Sequence, residues 1–433
     1  MMRRRIGSLA LFGGAMALAS VAWADDAATQ INSGDTAWLL VSTALVMLMT
    51  PGLAFFYGGL VRRKNVLATM MQSFIMMCVI GLQWVLFGYS LAFGPDHGGI
   101  IGGLDWAGLV AVDLNGTSDY APTVPHVAFL SFQMMFAVIT PALITGAFAE
   151  RMKFSAFLVF SLLWATFVYD PLAHWVWGRG WLAGIGALDF AGGLVVHMSS
   201  GFAALAAALM IGKRKGAAMP SLSPHNLPFT ILGAALLWFG WFGFNAGSAI
   251  TAGSLAAIAF LTTNTATCAA ALTWVFIEWR VKGRPTALGA ATGAVAGLVA
   301  ITPASGYVTA GGAVLIGLGA GGLCYSATLL RERLRVDDAL DVFAVHGVGG
   351  MFGAVATGVF AVAAIGGVSG AVQGNVGQVF VQLAAVAATV AFAAGATYVI
   401  VKLVDFVLGL RVEPEAEQLG LDLAVHGEAA YQS

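Results

Sequence analysis

DFAGGLVVHMSSG, residues 189–201, lies within an apolar run and carries Asp189 and, eight residues later, His197. DDALDVFAVHGVGG, residues 337–350, repeats that spacing with Asp338 and His346 in a second apolar run. Ionisable side chains inside a bilayer are costly and mark function by default. Two of them at matched spacing, in two halves of one chain, need a common explanation.

The surrounding composition makes the bilayer the natural setting. Of 433 residues, 59% are hydrophobic and 9% charged, against about 25% charged in a soluble domain. Long apolar runs alternate with short polar breaks, as in polytopic helical membrane proteins. The net charge of −1 gives no basis for a nucleic-acid partner. The 56 glycines suit close helix contacts. Cys78, Cys268 and Cys324 lie in apolar runs with no CxxC pair, so they read as small core residues rather than a disulfide or metal set.

At the N-terminus, Arg3, Arg4 and Arg5 precede the apolar run 6–21 and then Ala22-Trp23-Ala24. This is the pattern of a cleaved signal peptide covering 1–24, and it places the mature N-terminus outside the cytoplasm. A membrane domain over 25–406 follows, and a cytoplasmic tail over 407–433. Eleven spans are expected, at 36–59, 67–93, 126–149, 154–177, 189–211, 227–249, 254–279, 286–302, 310–330, 340–362 and 377–406, the eighth being short and broken near Pro303. The positive-inside rule supports this count. Arg62, Arg63, Lys64, Arg151, Lys153, Lys213, Arg214, Lys215, Arg280, Lys282, Arg284, Arg331, Arg333 and Arg335 all fall in inner loops, and Arg179 alone falls outside. The longest outer loop, 94–125, reads as an ordered or semi-ordered surface loop.

Spans one to five begin outside and spans six to ten inside, so matched halves are inverted, an architecture that puts the working site near the midplane. Asp189 starts span five at one face and Asp338 starts span ten at the other. At about 1.5 Å per residue each histidine lies roughly 12 Å further in, so the two are expected to meet. His97, His225 and His426 read as solvated loop or tail residues. His126 and His174 read as interfacial, and only His197 and His346 as deep. Facing imidazoles could ligate a haem, bind a metal, or line a narrow path for a small polar solute. No carboxylate or thiol stands beside either histidine at metal-ligand spacing.

DFAGGLVVH at 189–197 resembles the signature of the ammonium transporter family (Amt/Mep/Rh), in its bacterial Amt form. So do TPGLAFFYGGLVRRKN at 50–65, ITPALITGAFAER at 139–151, GWFGFNAGS at 240–248, DVFAVHGVGG at 341–350 and the tail LRVEPEAEQLGLDLAVHGEAAY. The resemblance implies an all-α integral membrane fold of eleven transmembrane helices with a five-plus-five inverted repeat, assembled as a homotrimer with one pore per subunit in the inner (cytoplasmic) membrane. It implies ammonium recruitment at an outer site of Trp177, Ser248 and Phe136, with Asp189 as an essential structural and electrostatic residue. It further implies a phenylalanine gate of Phe136 and Phe244, a vestibule aromatic at Phe132, and pore histidines His197 and His346. It implies no cofactor and no metal. Methylammonium serves such proteins as a substrate analogue, and a PII-type signal protein blocks the inner exits.

Elementary physics runs the same way. An aromatic face attracts a compact cation by roughly 0.5–2 kcal/mol, a serine hydroxyl can accept an N–H bond, and Asp189 suits a helix N-cap. Past the phenylalanines a full charge is penalised by several kcal/mol, so the expected passage is as ammonia, while potassium, which has no proton to lose, is rejected. The competing reading is an ammonium sensor that signals through a PII-type partner. An enzyme is disfavoured for want of a nucleophile–base set. Glu413, Glu415, Glu417, Asp422 and His426 make the tail polar, as ordinary solvation would.

Overall fold

The computed structural model describes residues 31–215 and 224–431, so the leader expected at 1–24 lies outside the described residues. Among them are eleven apolar helices: α1 (Ser33–Leu60), α2 (Arg63–Phe93), α3 (His126–Phe148), α4 (Phe154–Gly184), α5 (Gly193–Ile211), α6 (Leu227–Gly247), α7 (Ser254–Lys282), α8 (Ala287–Ile301), α9 (Ala310–Leu334), α10 (Phe343–Phe360) and α11 (Gly377–Leu408). Ten of the described helices are long and apolar enough to cross a membrane. The exception, α8, has 15 residues and ends just before Pro303, whose carbonyl instead accepts a bond from the Phe190 N–H ahead of α5 (3.2 Å). A two-stranded ribbon, β1 (Asp96–His97) with β2 (Ile101–Gly102), sits in the loop after α2.

The two halves repeat one packing scheme. α1 packs on α2 and α3, which also touch each other, and α6 packs on α7 and α8, which do the same. α3 packs on α5 as α8 packs on α10, while α1 and α6 lie against each other and α11 spans α4, α5 and α10. Gly233, Gly240 and Gly247 recur every seven residues along α6. A Cβ on any of them would come within 2.2–2.6 Å of α1 atoms, so the smallest side chain is what lets the two helices touch.

The α5–α10 crossing shows the pseudo-twofold most directly. Gly201 and Gly350 each stand twelve residues past the matched aspartates. A Cβ on Gly201 would lie 2.2 Å from the Gly347 nitrogen, and one on Gly350 would lie 3.0 Å from the Met198 nitrogen. Gly347 and Met198 are themselves equivalent positions, each next to a deep histidine. Three residues after each aspartate the backbone turns left-handed, at Gly192 (φ 114°) and at Asp341 (φ 59°). Glycine does this without penalty and aspartate tolerates it, and Asp341 is further tied to Arg331 (2.5 Å).

The face to which the 94–125 loop belongs is here termed the loop face, and the opposite one, with the arginine-rich loops, the basic face. Several cationic side chains on the basic face are paired. Glu150, with no exposed side-chain surface, receives Arg62 (2.9 Å) and Arg214 (3.1 Å), and Arg214 also pairs with Asp337 (2.8 Å). Arg151, fully buried, donates to the carbonyls of Ala147, Ala149, Gly212 and Asp337. Burial works against charge on Asp337, but the Arg214 guanidinium bonded to it holds its carboxyl below the ordinary range. Counting charges along the chain shows none of this pairing.

The tail is folded onto the same face, as a tail polar enough to lie on that surface can be, and two of its acidic residues are buried rather than solvated. Beyond α11 a short helix, α12 (Pro414–Leu419), carries Glu417, which is buried against Arg411 (2.8 Å). Asp422, 2% exposed, caps α2 by accepting the N–H groups of Leu67 (3.1 Å) and Ala68 (2.8 Å). Helix N-termini offer unpaired N–H groups and a positive dipole end. Further corrections concern residues placed by local pattern. Cys78 and Cys268 lie on the outside of the bundle, and only Cys324 is a core residue. His225 is bonded to the Val61 carbonyl and to Tyr431 rather than free in solvent. His126 and His174 are buried rather than interfacial.

Candidate conduction site

α5 opens with four backbone N–H groups that no preceding turn can satisfy. Asp189 takes all four: Oδ1 accepts from Gly192 (2.8 Å) and Gly193 (2.6 Å), and Oδ2 from Leu194 (2.8 Å) and Val195 (3.2 Å). With both oxygens so engaged and the residue only 5% exposed, Asp189 is set back from solvent and cannot ligate a cation in the cleft. Its carbonyl instead accepts the indole N–H of Trp177 (2.9 Å). Trp177 itself caps the last regular turn of α4. One residue thus fixes the start of α5 and the tryptophan beside it.

Trp177, Phe136 and Ser248 line one cleft of about 260 Å³ on the loop face, together with Phe93, Tyr120, Phe129, Gln133 and Phe190. The Phe136 and Trp177 rings meet edge to face (5.9 Å, 87°). The Ser248 hydroxyl spends its one proton on the Phe244 carbonyl (2.8 Å), which leaves its lone pairs to accept from a bound N–H donor. Phe132 stands one turn back from Phe136, fully buried, with its ring against it (4.9 Å). The aromatic walls beside the expected trio are therefore Phe93, Tyr120, Phe129 and Phe190, which motif reading did not single out.

Phe136 and Phe244 stack at 4.2 Å and 27° and close the floor of this cleft. Below them lies a narrow cavity lined by Phe244, Trp241, His197, His346 and aliphatic side chains from α1, α3, α6 and α8. It leaves about 10 Å³ for the centre of a water-sized molecule, on the order of one water. The two imidazoles face each other there, Nδ1 to Nδ1, at 3.3 Å. Each histidine sits in a π-helical turn, Gly193–Met198 or Phe343–Gly347, a local widening common at functional sites. The His197 ring packs against both Trp241 (5.2 Å) and Phe244 (5.7 Å), which also touch each other (5.5 Å). Trp241 was not foreseen, although GWFGF places it one turn before Phe244 on the same helical face.

The facing nitrogens constrain the protons. One Nδ1 must donate and the other accept, so two neutral rings hold opposite tautomers. One Nε2 is then a bare acceptor and the other an N–H donor. The His197 Nε2 is buried without a protein partner. Among the described residues no group of three His, Cys, Asp or Glu side chains is placed to hold a metal.

Residues 37–431 match the family model described as the Ammonium Transporter Family. This chain belongs to the ammonium transporter family. It is 52% identical to the ammonium transporter of Bacillus subtilis over 405 residues, covering 93% of this chain and 99% of that one. Ammonium transporter Amt1 of Archaeoglobus fulgidus is 51% identical over 401 residues, covering 93% and 100%. Among solved structures, Candida albicans Mep2 superposes with a TM-score of 0.86 at 38% identity, covering 93% of this chain and 91% of that one. A sensor Amt protein superposes at 0.84 with 31% identity, covering 90% and 98%. The family's fold is thus shared over nearly the whole chain, and the Bacillus and Archaeoglobus relatives are ammonium transporters.

Proposed function

We propose that this protein conducts ammonium-derived ammonia across the cytoplasmic membrane. The single observation that carries the reading is the stacked Phe136–Phe244 pair standing between an aromatic cleft and a narrow cavity that holds two facing imidazoles. Ammonium is captured against Trp177 and Phe136, with an N–H bond to Ser248, under a negative bias from Asp189. It loses a proton before the phenylalanines, because the cavity beyond offers no counter-charge and a bare cation there is penalised by several kcal/mol. Ammonia, one acceptor and three donors, then pairs with the opposite tautomers of His197 and His346.

The arginine-rich loops support a cytoplasmic basic face, with α1 entering from outside. A homotrimer, with a PII-type signal protein docking on the cytoplasmic exits, belongs to the same reading. A signalling role is the second reading, favoured by the superposition on a sensor Amt protein. Uptake decides between them, since a pure sensor accumulates no substrate.

Trp177→Leu removes the aromatic face but leaves the histidines untouched. An exposed to partly desolvated cation–π contact is worth about 0.5–2 kcal/mol, so the KM for methylammonium uptake should rise roughly 2- to 30-fold with little change in maximal rate. Unchanged KM would remove Trp177 from the recruitment site.

A further inference from the structure

His174 stands one turn before Trp177 on α4, its side chain fully buried. Its Nδ1 lies 3.0 Å from the Ala92 carbonyl oxygen at the end of α2, and its Nε2 lies 2.8 Å from Asp96 Oδ1 in β1. A carbonyl can only accept, and so can an ionised carboxylate. A neutral imidazole has one N–H and can satisfy only one of them. The bond from His174 also keeps the Asp96 carboxyl below its usual range, so its oxygen is an anion at neutral pH.

The same turn is stitched to the ribbon from several points. The Trp175 indole donates to the Ile100 carbonyl (2.7 Å), the Trp181 N–H to Gly99 (2.9 Å), and the Gly180 N–H to the His174 carbonyl (2.9 Å). Gly178 passes so close that a Cβ would lie 2.1 Å from the same Ala92 oxygen. Trp177 hangs from this turn by its N–H to Ala173 (2.7 Å). Other titratable or charged groups around the turn are His97 on β1, Asp113 and the Asp119–Arg179 pair of the loop face, Asp170 at the start of the turn, Asp189 beneath Trp177, and His126 bonded to Tyr89. Of these, Asp96 is the one bonded to His174.

We infer that His174 is a positioning residue: bridging Ala92 and Asp96, it clamps the ribbon over the turn of α4 that reaches Trp177 and so holds Trp177 at the mouth of the pore. The substrate apparent affinity depends on this bridge, while the maximal rate is set deeper in the pore.

The inference rests on the transport reading, and the test separates the two. Methylammonium uptake is measured in proteoliposomes at one neutral pH for the wild type, Asp96→Asn and His174→Gln, with KM read separately from the maximal rate. Asp96→Asn removes the charged acceptor from the exposed ribbon, and glutamine at 174 can serve one acceptor at a time. Both variants should show a KM raised several-fold at unchanged maximal rate. Wild-type KM in both variants, or a fall in maximal rate at unchanged KM, overturns the inference while leaving transport intact. Wild-type vesicles that take up nothing overturn the transport reading and this inference with it.

Discussion

Asp189→Ala is expected to abolish ammonium uptake and to destabilise the protein, although Asp189 touches no substrate. The substitution strips four N–H groups at the start of α5 of their acceptors in a setting that water does not reach. Hydrogen bonds to charged groups are worth about 1.5–3 kcal/mol each, and leaving buried groups unpaired by removing one charged partner costs about 3–5 kcal/mol. The loss falls on the turn that aims His197 and frees the carbonyl environment that holds the Trp177 indole. Uptake should drop by at least about 100-fold, the factor that roughly 2.7 kcal/mol accounts for. Asp189→Asn keeps one acceptor but turns an amide NH₂ toward N–H donors, so it should also fail, with a milder fall in thermal stability. Uptake assays beside melting curves of the purified protein check this. Wild-type uptake in Asp189→Asn would show that the carboxylate's charge and second acceptor are dispensable.

The second large effect concerns the pair of imidazoles. His197→Ala or His346→Ala leaves the surviving ring without its 3.3 Å partner and removes one half of a donor–acceptor couple from a cavity with no other polar side chain in its lining. The single variants should lose at least about tenfold in methylammonium flux, equivalent to about 1.4 kcal/mol. Removing both rings widens the cavity and abolishes the donor–acceptor couple that suits ammonia over an ion. The double variant should therefore pass potassium, which the wild type is expected to exclude because potassium has no proton to leave behind. Unaltered flux and unaltered potassium exclusion in all three variants would contradict the assigned role of the histidines.

The parts of this arrangement that follow chain periodicity could be read before any fold was known. Eleven apolar runs, alternating basic loops and the repeated Asp–x₇–His spacing all reappear as α1–α11, the basic face and the α5–α10 pair. The meeting of His197 with His346 followed from topology, because helices that enter from opposite faces carry their eighth residue to the same depth. What the residues alone left open was the solute, which came from motif resemblance and then from the family match.

The remaining features depend on which distant residues tertiary packing brings together. Arg214 looks like one more positive-inside charge until Asp337 and Glu150 arrive from other loops. Asp422 looks like a solvated tail residue until it is found on the N-terminus of α2. His174 looks interfacial from its distance to the end of a span, yet the ribbon after α2 folds over it. The cysteines went the other way: an apolar run says nothing about which of its faces turns inward, and two of the three point away from the core.

The central claim, that a cation is sorted by whether it can shed a proton before the stacked phenylalanines, is tested most directly by transport in proteoliposomes of the wild-type protein. Uptake and current are recorded together while equal gradients of ammonium and potassium are imposed. Ammonium should be taken up at a rate far above that of protein-free vesicles, and potassium should produce neither uptake nor current above them. Potassium flux comparable to that of ammonium would contradict the account, because the path would then carry the ion itself.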